Sequence, residues 1–199
     1  ALAARDAFSA AYQVRKLPSL ALRAATAALA GGDAAGALSI ATLVTPVLDS
    51  AQMVEAVLPL RIRALAQLAR PAEAERLIAG HGARVTEPQR RMYARSLAWG
   101  WIRAGDIARA RRAAEQGGGE EEDVVSGWLA LFDGDLEAAR RGLRTADEKS
   151  SDVVTALAFI SRTRQVRTPA IGAAFLALAR GDSAQASRSF EQAAESVPD

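Results

Sequence analysis

The stretch Thr168–Asp199 reads TPAIGAAFLALARGDSAQASRSFEQAAESVPD. Ile171, Ala174, Phe175, Leu178 and Ala179 fall at helical spacing and form one apolar stripe. Gly181 can take the left-handed conformation that ends a helix, and the side-chain oxygen of Asp182 can cap the next. The second helix carries Ala186, Phe190, Ala193 and Val197 on one face, and Pro198 closes the unit because it cannot continue a helix. Two helices joined by so short a turn lie antiparallel, each covering the other's stripe. Phe190 is expected to be a buried anchor of the second helix.

The same punctuation recurs upstream. Gly-Asp pairs stand at Gly32-Asp33, Gly105-Asp106 and Gly134-Asp135, and each Asp is followed four residues on by alanine: Ala37, Ala110 and Ala139, matching Ala186. Ala69-Arg70-Pro71-Ala72-Glu73-Ala74 reads as a degenerate form of the turn, with Ala74 as the matching alanine. Recurrence in one phase carries more weight than any single Gly-Asp, a common pair between alanine-rich helices.

The run Ala186-x3-Phe190-x2-Ala193-x4-Pro198 resembles half of a tetratricopeptide repeat, a unit of about 34 residues. The resemblance is good over Thr168–Asp199, fair over Asp123–Ala146 and Pro88–Gln116, and weak before Gly82. It implies an all-α fold, an α-α superhelix of antiparallel helix pairs in which the first helix of each pair lines a concave groove. It also implies a scaffold or peptide receptor rather than an enzyme.

Bulk properties agree with a helical array. The chain has 199 residues, half of them hydrophobic but only 5% aromatic, and alanine dominates. Alanine is the best helix former and lets helices approach closely. The formal net charge is +2, so no strong attraction to nucleic acid or acidic membranes is expected. The absence of cysteine removes disulfides, thiolate catalysis and cysteine zinc sites together, and fits either redox compartment. No signal peptide is visible, and Arg23 and Gly31-Gly32-Asp33 interrupt the longest apolar region, Leu17–Leu48, which argues against a membrane span. The chain starts at Ala1 and ends where one repeat would hand over to the next, so it is expected to be one helical-repeat domain from a longer protein.

In order, helices are expected at Arg5–Lys16, Ser19–Ala30 and Ala34–Val44, then over Ala51–Ala69, where Pro59 kinks the helix or splits off its first turns, and at Pro71–Ala79. Pro88–Ala104, Ile107–Gln116, Val124–Phe132 and Leu136–Ala146 follow, with Asp152–Arg162 as an extra helix outside the pairing. The expected total is ten to twelve helices and no sheet. The acids Glu120–Asp123 suit the positive end of a helix dipole.

Catalytic chemistry finds no foothold. His81, the single histidine, lies in a Gly-His-Gly turn, where solvent exposure is expected, and has no Cys or second His to share a metal. No G-x-S-x-G elbow or GxxxxGK[ST] loop occurs, and Gly117-Gly118-Gly119 precedes acids that would repel phosphate. Neither enzyme activity, metal nor cofactor is expected. Arg109, Arg111, Arg112, Arg140, Arg141 and Arg144 are interleaved with Glu115, Glu137 and Asp147, the pattern of solvated faces with local ion pairs.

Aligning the repeats on their turns brings Ala98-Trp99, Gly127-Trp128 and Ala174-Phe175 into register, a small residue followed by an aromatic. The resemblance implies that this second position faces the groove. Arg63 takes the same place in the degenerate repeat, and Arg95 and Arg103 lie one turn either side of Trp99. Trp99, Trp128, Phe175, Arg63, Arg95 and Arg103 are therefore the candidate partner-binding residues, since Trp and Arg are frequent hot spots. The same rings can instead pack between successive first helices. Trp101 is expected to face the core of its own pair. Two functions stay open: a scaffold for a peptide or partner protein, and an effector-sensing arm of a larger regulator, which would need a pocket with convergent polar groups.

Overall fold

Why the chain folds into hairpins is visible at its turns. The computed structural model describes residues 1–47, 50–118, 123–144, 169–179 and 182–195, and all regular structure among them is helical. The main helices are α1 Leu2–Arg15, α2 Pro18–Ala30, α3 Ala34–Val44, the short α4 Ser50–Gln52, α5 Leu58–Gln67 and α6 Pro71–Gly80. They continue with α7 Glu87–Ala104, α8 Ile107–Gln116, α9 Val124–Asp133, α10 Leu136–Arg144, α11 Pro169–Ala179 and α12 Ser183–Glu195. The expected helix at Asp152–Arg162 lies outside the described residues.

The turns share one set of hydrogen bonds. Gly32, Gly105 and Gly134 are left-handed, with φ of 81°, 86° and 75°. Asp33, Asp106, Asp135 and Asp182 each accept, through a carboxylate oxygen, the N–H three residues on, at 2.8–3.0 Å. The N–H groups of Asp33, Asp135 and Asp182 reach back five residues to the carbonyls of Ala28, Ala130 and Ala177, the bond of a Schellman ending. The degenerate turn repeats this without glycine or aspartate: Ala69 is left-handed at φ 56°, and Arg70 N–H reaches Leu65 O at 2.8 Å. Each alanine four residues past the cap donates its N–H to the cap carbonyl, and Ala37, Ala74, Ala110, Ala139 and Ala186 are all buried. A larger side chain there would wedge the two helices apart at the hinge.

Contacts divide the chain into two compact units, residues 1–101 and 102–199. In the first, α1 packs on α2, α2 on α3, α3 on α5 and α5 on α6, while α2 also touches α5. Ala21, Ala24, Ala25 and Ala28 of α2 and Ala37 and Ala41 of α3 are almost completely buried, so backbones meet at alanine distance. In the second, α9 packs on α10, α11 on α12, and the first helices α9 and α11 on each other. Gly127 and Gly142 mark the closest approach of α9 and α10: a Cβ on Gly142 would lie 2.6 Å from the Gly127 backbone.

The expectation over Ala51–Ala69, a kink at Pro59 or first turns split off, is met in its second form. A π-helical turn, Met53–Val57, precedes α5, and Pro59 sits in the first turn of α5. A proline here has no N–H to give and its ring would crowd the carbonyl four residues back, so the wider turn absorbs it. In that turn Leu58 N–H bonds Met53 O, which leaves Val54 O without its usual donor. The buried Tyr93 hydroxyl of α7 donates to it at 3.4 Å. Burial also raises the Tyr93 pKa, so the phenol stays protonated as the donor.

Candidate functional site

In the first unit, α7 lies close against α5: a Cβ on Gly100 would sit 3.0 Å from Cα of Ala66. Arg63 on α5 and Arg95 on α7 are exposed, and Trp99, one turn beyond Arg95, is half-buried. Trp101 is 6% exposed and its indole N–H donates at 3.1 Å to Glu75 of α6, so it is buried with its polar end toward the preceding hairpin rather than shown to face the core of its own pair. Arg103 is half-buried and belongs to the second unit.

Trp128 and Phe175 stand differently: both are fully buried. Trp128 of α9 meets Phe175 of α11 edge-on, with ring centroids 6.0 Å apart, and Phe175 meets Phe190 of α12 at 5.1 Å. Such edge-to-face pairs are favoured over stacked sandwiches by the ring quadrupole. At these two positions the rings pack between successive first helices, and neither presents a face to solvent. Phe190 is half-buried, covering the Phe175 edge rather than forming the centre of the core. The preceding small residues, Ala98, Gly127 and Ala174, are all buried, which is what lets the helices close.

Several of the outer arginines are held by local carboxylates. Arg109 pairs with Asp106 and Arg140 with Glu137, each at 3.3 Å, and Arg111 of α8 pairs with Asp133 of α9. In the first unit Arg5 of α1 pairs at 2.6 Å with Asp33, the cap of α3. The Gly36 N–H and then Arg5 hold the Asp33 carboxyl below its ordinary pKa. His81 ends α6 half-buried rather than fully exposed. No group of three or more His, Cys, Asp or Glu among the described residues could hold a metal, and no described helix is long and apolar enough to cross a membrane.

A feature the motif reading passed over lies between α3, α5 and α6. A recess of about 380 Å³ is walled by Leu38 and Thr42 of α3, Arg61 and Leu65 of α5, and Glu73, Arg76 and Leu77 of α6, with Arg70 at the turn. A trough of about 540 Å³ shares Leu38, Thr42 and Arg70 with it and continues over Leu43 and Leu68. Arg70 grips Glu73 through Nε and Nη2 at 2.6 and 2.7 Å, which keeps Glu73 ionised by lowering its pKa. Arg61 has no such partner: its Nε is buried without a hydrogen bond, and burial lowers its pKa. The signal was present in the spacing. Arg61 stands three residues after Leu58 and four before Leu65, both buried, so an arginine occupies the core-facing stripe of α5. Most of its wall comes from α3 and α6, the second helices of their hairpins, whereas the repeat alignment points to first-helix positions.

Neither a protein-family model, nor a curated protein, nor a solved structure matches the chain.

Proposed function

We propose that this protein is a scaffold of the tetratricopeptide type, holding a peptide or partner protein against the first helices of its hairpins, with the α-α superhelix as part of the same reading. The observation that carries it is the return of one turn, with its buried alanine, at five hairpin hinges among the described residues. A chain built by repeating one hairpin offers side chains at a regular pitch, which suits an extended partner. The partner surface belongs on α5 and α7, where Arg63, Arg95 and Trp99 remain accessible. Trp128 and Phe175 are core residues of the second unit and drop out of the candidate surface.

The test is a matched pair of substitutions. Trp99→Ala should weaken capture of the partner tenfold or more and leave the melting temperature nearly unchanged. Trp101→Ala should lower the melting temperature, because it empties a buried site and strands Glu75. Identical capture by wild type and Trp99→Ala would defeat this placement of the surface. One observation favours the second reading, an effector-sensing arm: the arginine-lined recess has the convergent polar groups such a sensor needs.

A further inference from the structure

The recess between α3, α5 and α6 holds a charge that the fold leaves unanswered. Three arginines, Arg61, Arg70 and Arg76, face one carboxylate, Glu73. Arg70 already neutralises Glu73 with a two-pronged hydrogen bond. Arg76 spends one nitrogen on the Ala72 carbonyl, at a long 3.4 Å. Arg61 spends none, and its buried Nε lacks an acceptor among the described residues. Burying a donor without an acceptor costs free energy, and the guanidinium that carries this Nε lines the recess, where an arriving oxyanion would answer its charge. The Thr42 hydroxyl donates to Leu38 O at 2.8 Å, so the arginines are the donors available to a guest.

The neighbouring trough sets the rest of the ligand. It runs from the shared Leu38 and Arg70 along Leu43 and Leu68, and Leu43 is 58% exposed. Polar recess and apolar trough adjoin at Leu38, Thr42 and Arg70, which line both. Guanidinium groups match a planar carboxylate in a forked geometry. The trough would shield a hydrocarbon tail from water, which favours binding in proportion to the apolar area covered.

We propose that the recess and the adjoining trough together bind a small organic acid, with its carboxylate on Arg61 and Arg76 and its apolar tail along Leu38 and Leu43. The proposal rests on the effector-sensing reading and names its ligand class. It does not depend on the scaffold surface at Trp99.

Octanoate is the probe, with 1-octanol and inorganic phosphate as its two halves, titrated calorimetrically into the full 199-residue chain. Octanoate should bind one to one, at least tenfold more tightly than octanol or phosphate. Arg61→Gln and Arg76→Glu should each lose tenfold or more, and Leu43→Asp should weaken the tail contact. Arg76 is exposed, so Arg76→Glu keeps its helical circular dichroism and carries the test even if Arg61→Gln misfolds. Octanoate binding no better than octanol, or surviving both arginine substitutions, overturns the site. Phosphate binding as well as octanoate overturns the tail while leaving an effector pocket standing. Silence from all three probes overturns both this site and its effector reading, and leaves partner capture at Trp99 to be judged by its own test.

Discussion

Asp33 joins two jobs in one carboxylate: it caps α3 through Gly36 N–H and receives Arg5 from α1. Both favour the ionised form, so the folded pKa is lowered. The sign follows from linkage. Stability contributed by this group is present above the ordinary carboxyl pKa of about 4 and is lost as pH falls through the lowered one. Asp33→Asn keeps a capping oxygen but no charge. Its stability deficit relative to wild type should therefore shrink as pH drops from 7 to 3 in denaturant titrations. A deficit constant across that range would mean the charge is idle. Trp128 makes the opposite kind of contribution, through packing. Trp128→Ala should cost about 3–5 kcal/mol, because the site is fully closed and Phe175 would lose the ring it abuts. A loss below about 1 kcal/mol would show that the ring is not enclosed. Its burial could not be read from the repeat register, which places Trp99 and Trp128 at equivalent positions; what separates them is the helix that follows. α11 brings Phe175 onto Trp128, a contact between residues 47 apart.

Hairpins were the most legible level, because turn chemistry is local. Glycine takes the left-handed position, aspartate caps, and an alanine four residues on closes the first turn. The degenerate turn was legible for the same reason, although Ala69 must take a conformation that suits glycine better. Ala69→Gly should therefore stabilise the chain by up to about 1 kcal/mol, read from the midpoint of chemical unfolding. The close approach of α9 and α10 at Gly127 and Gly142 predicts the reverse. Gly142→Ala would push a methyl to 2.6 Å from the Gly127 backbone, which cannot yield as a side chain would, and should cost about 1–3 kcal/mol. Little effect from Gly142→Ala would mean the two backbones are not in contact. The π turn before Pro59 was not legible. A proline signals a break, but whether the helix kinks, splits or widens depends on what receives the released carbonyl. Here that is the Tyr93 hydroxyl, 39 residues away.

At the scale of the whole molecule, the chain spends its few aromatics on joining hairpins and its alanines on letting them close. Two surfaces among the described residues stand apart from this packing: the arginines on α5 and α7 beside Trp99, and Arg61 beneath α3. The first was legible because repeat alignment points to first-helix positions. The second was hidden by its lack of a motif, and only burial of its Nε distinguishes Arg61 from an ordinary solvated arginine. The scaffold reading depends on the first of these surfaces. Its most direct measurement is amide hydrogen exchange on the chain with and without the partner recovered by the wild-type protein. Binding on the first helices predicts slowed exchange at the outward turns of α5 and α7 that carry Arg63, Arg95 and Trp99, with α3 and α6 unchanged. Protection confined to α3 and α6, or unaltered exchange along α5 and α7, would contradict it.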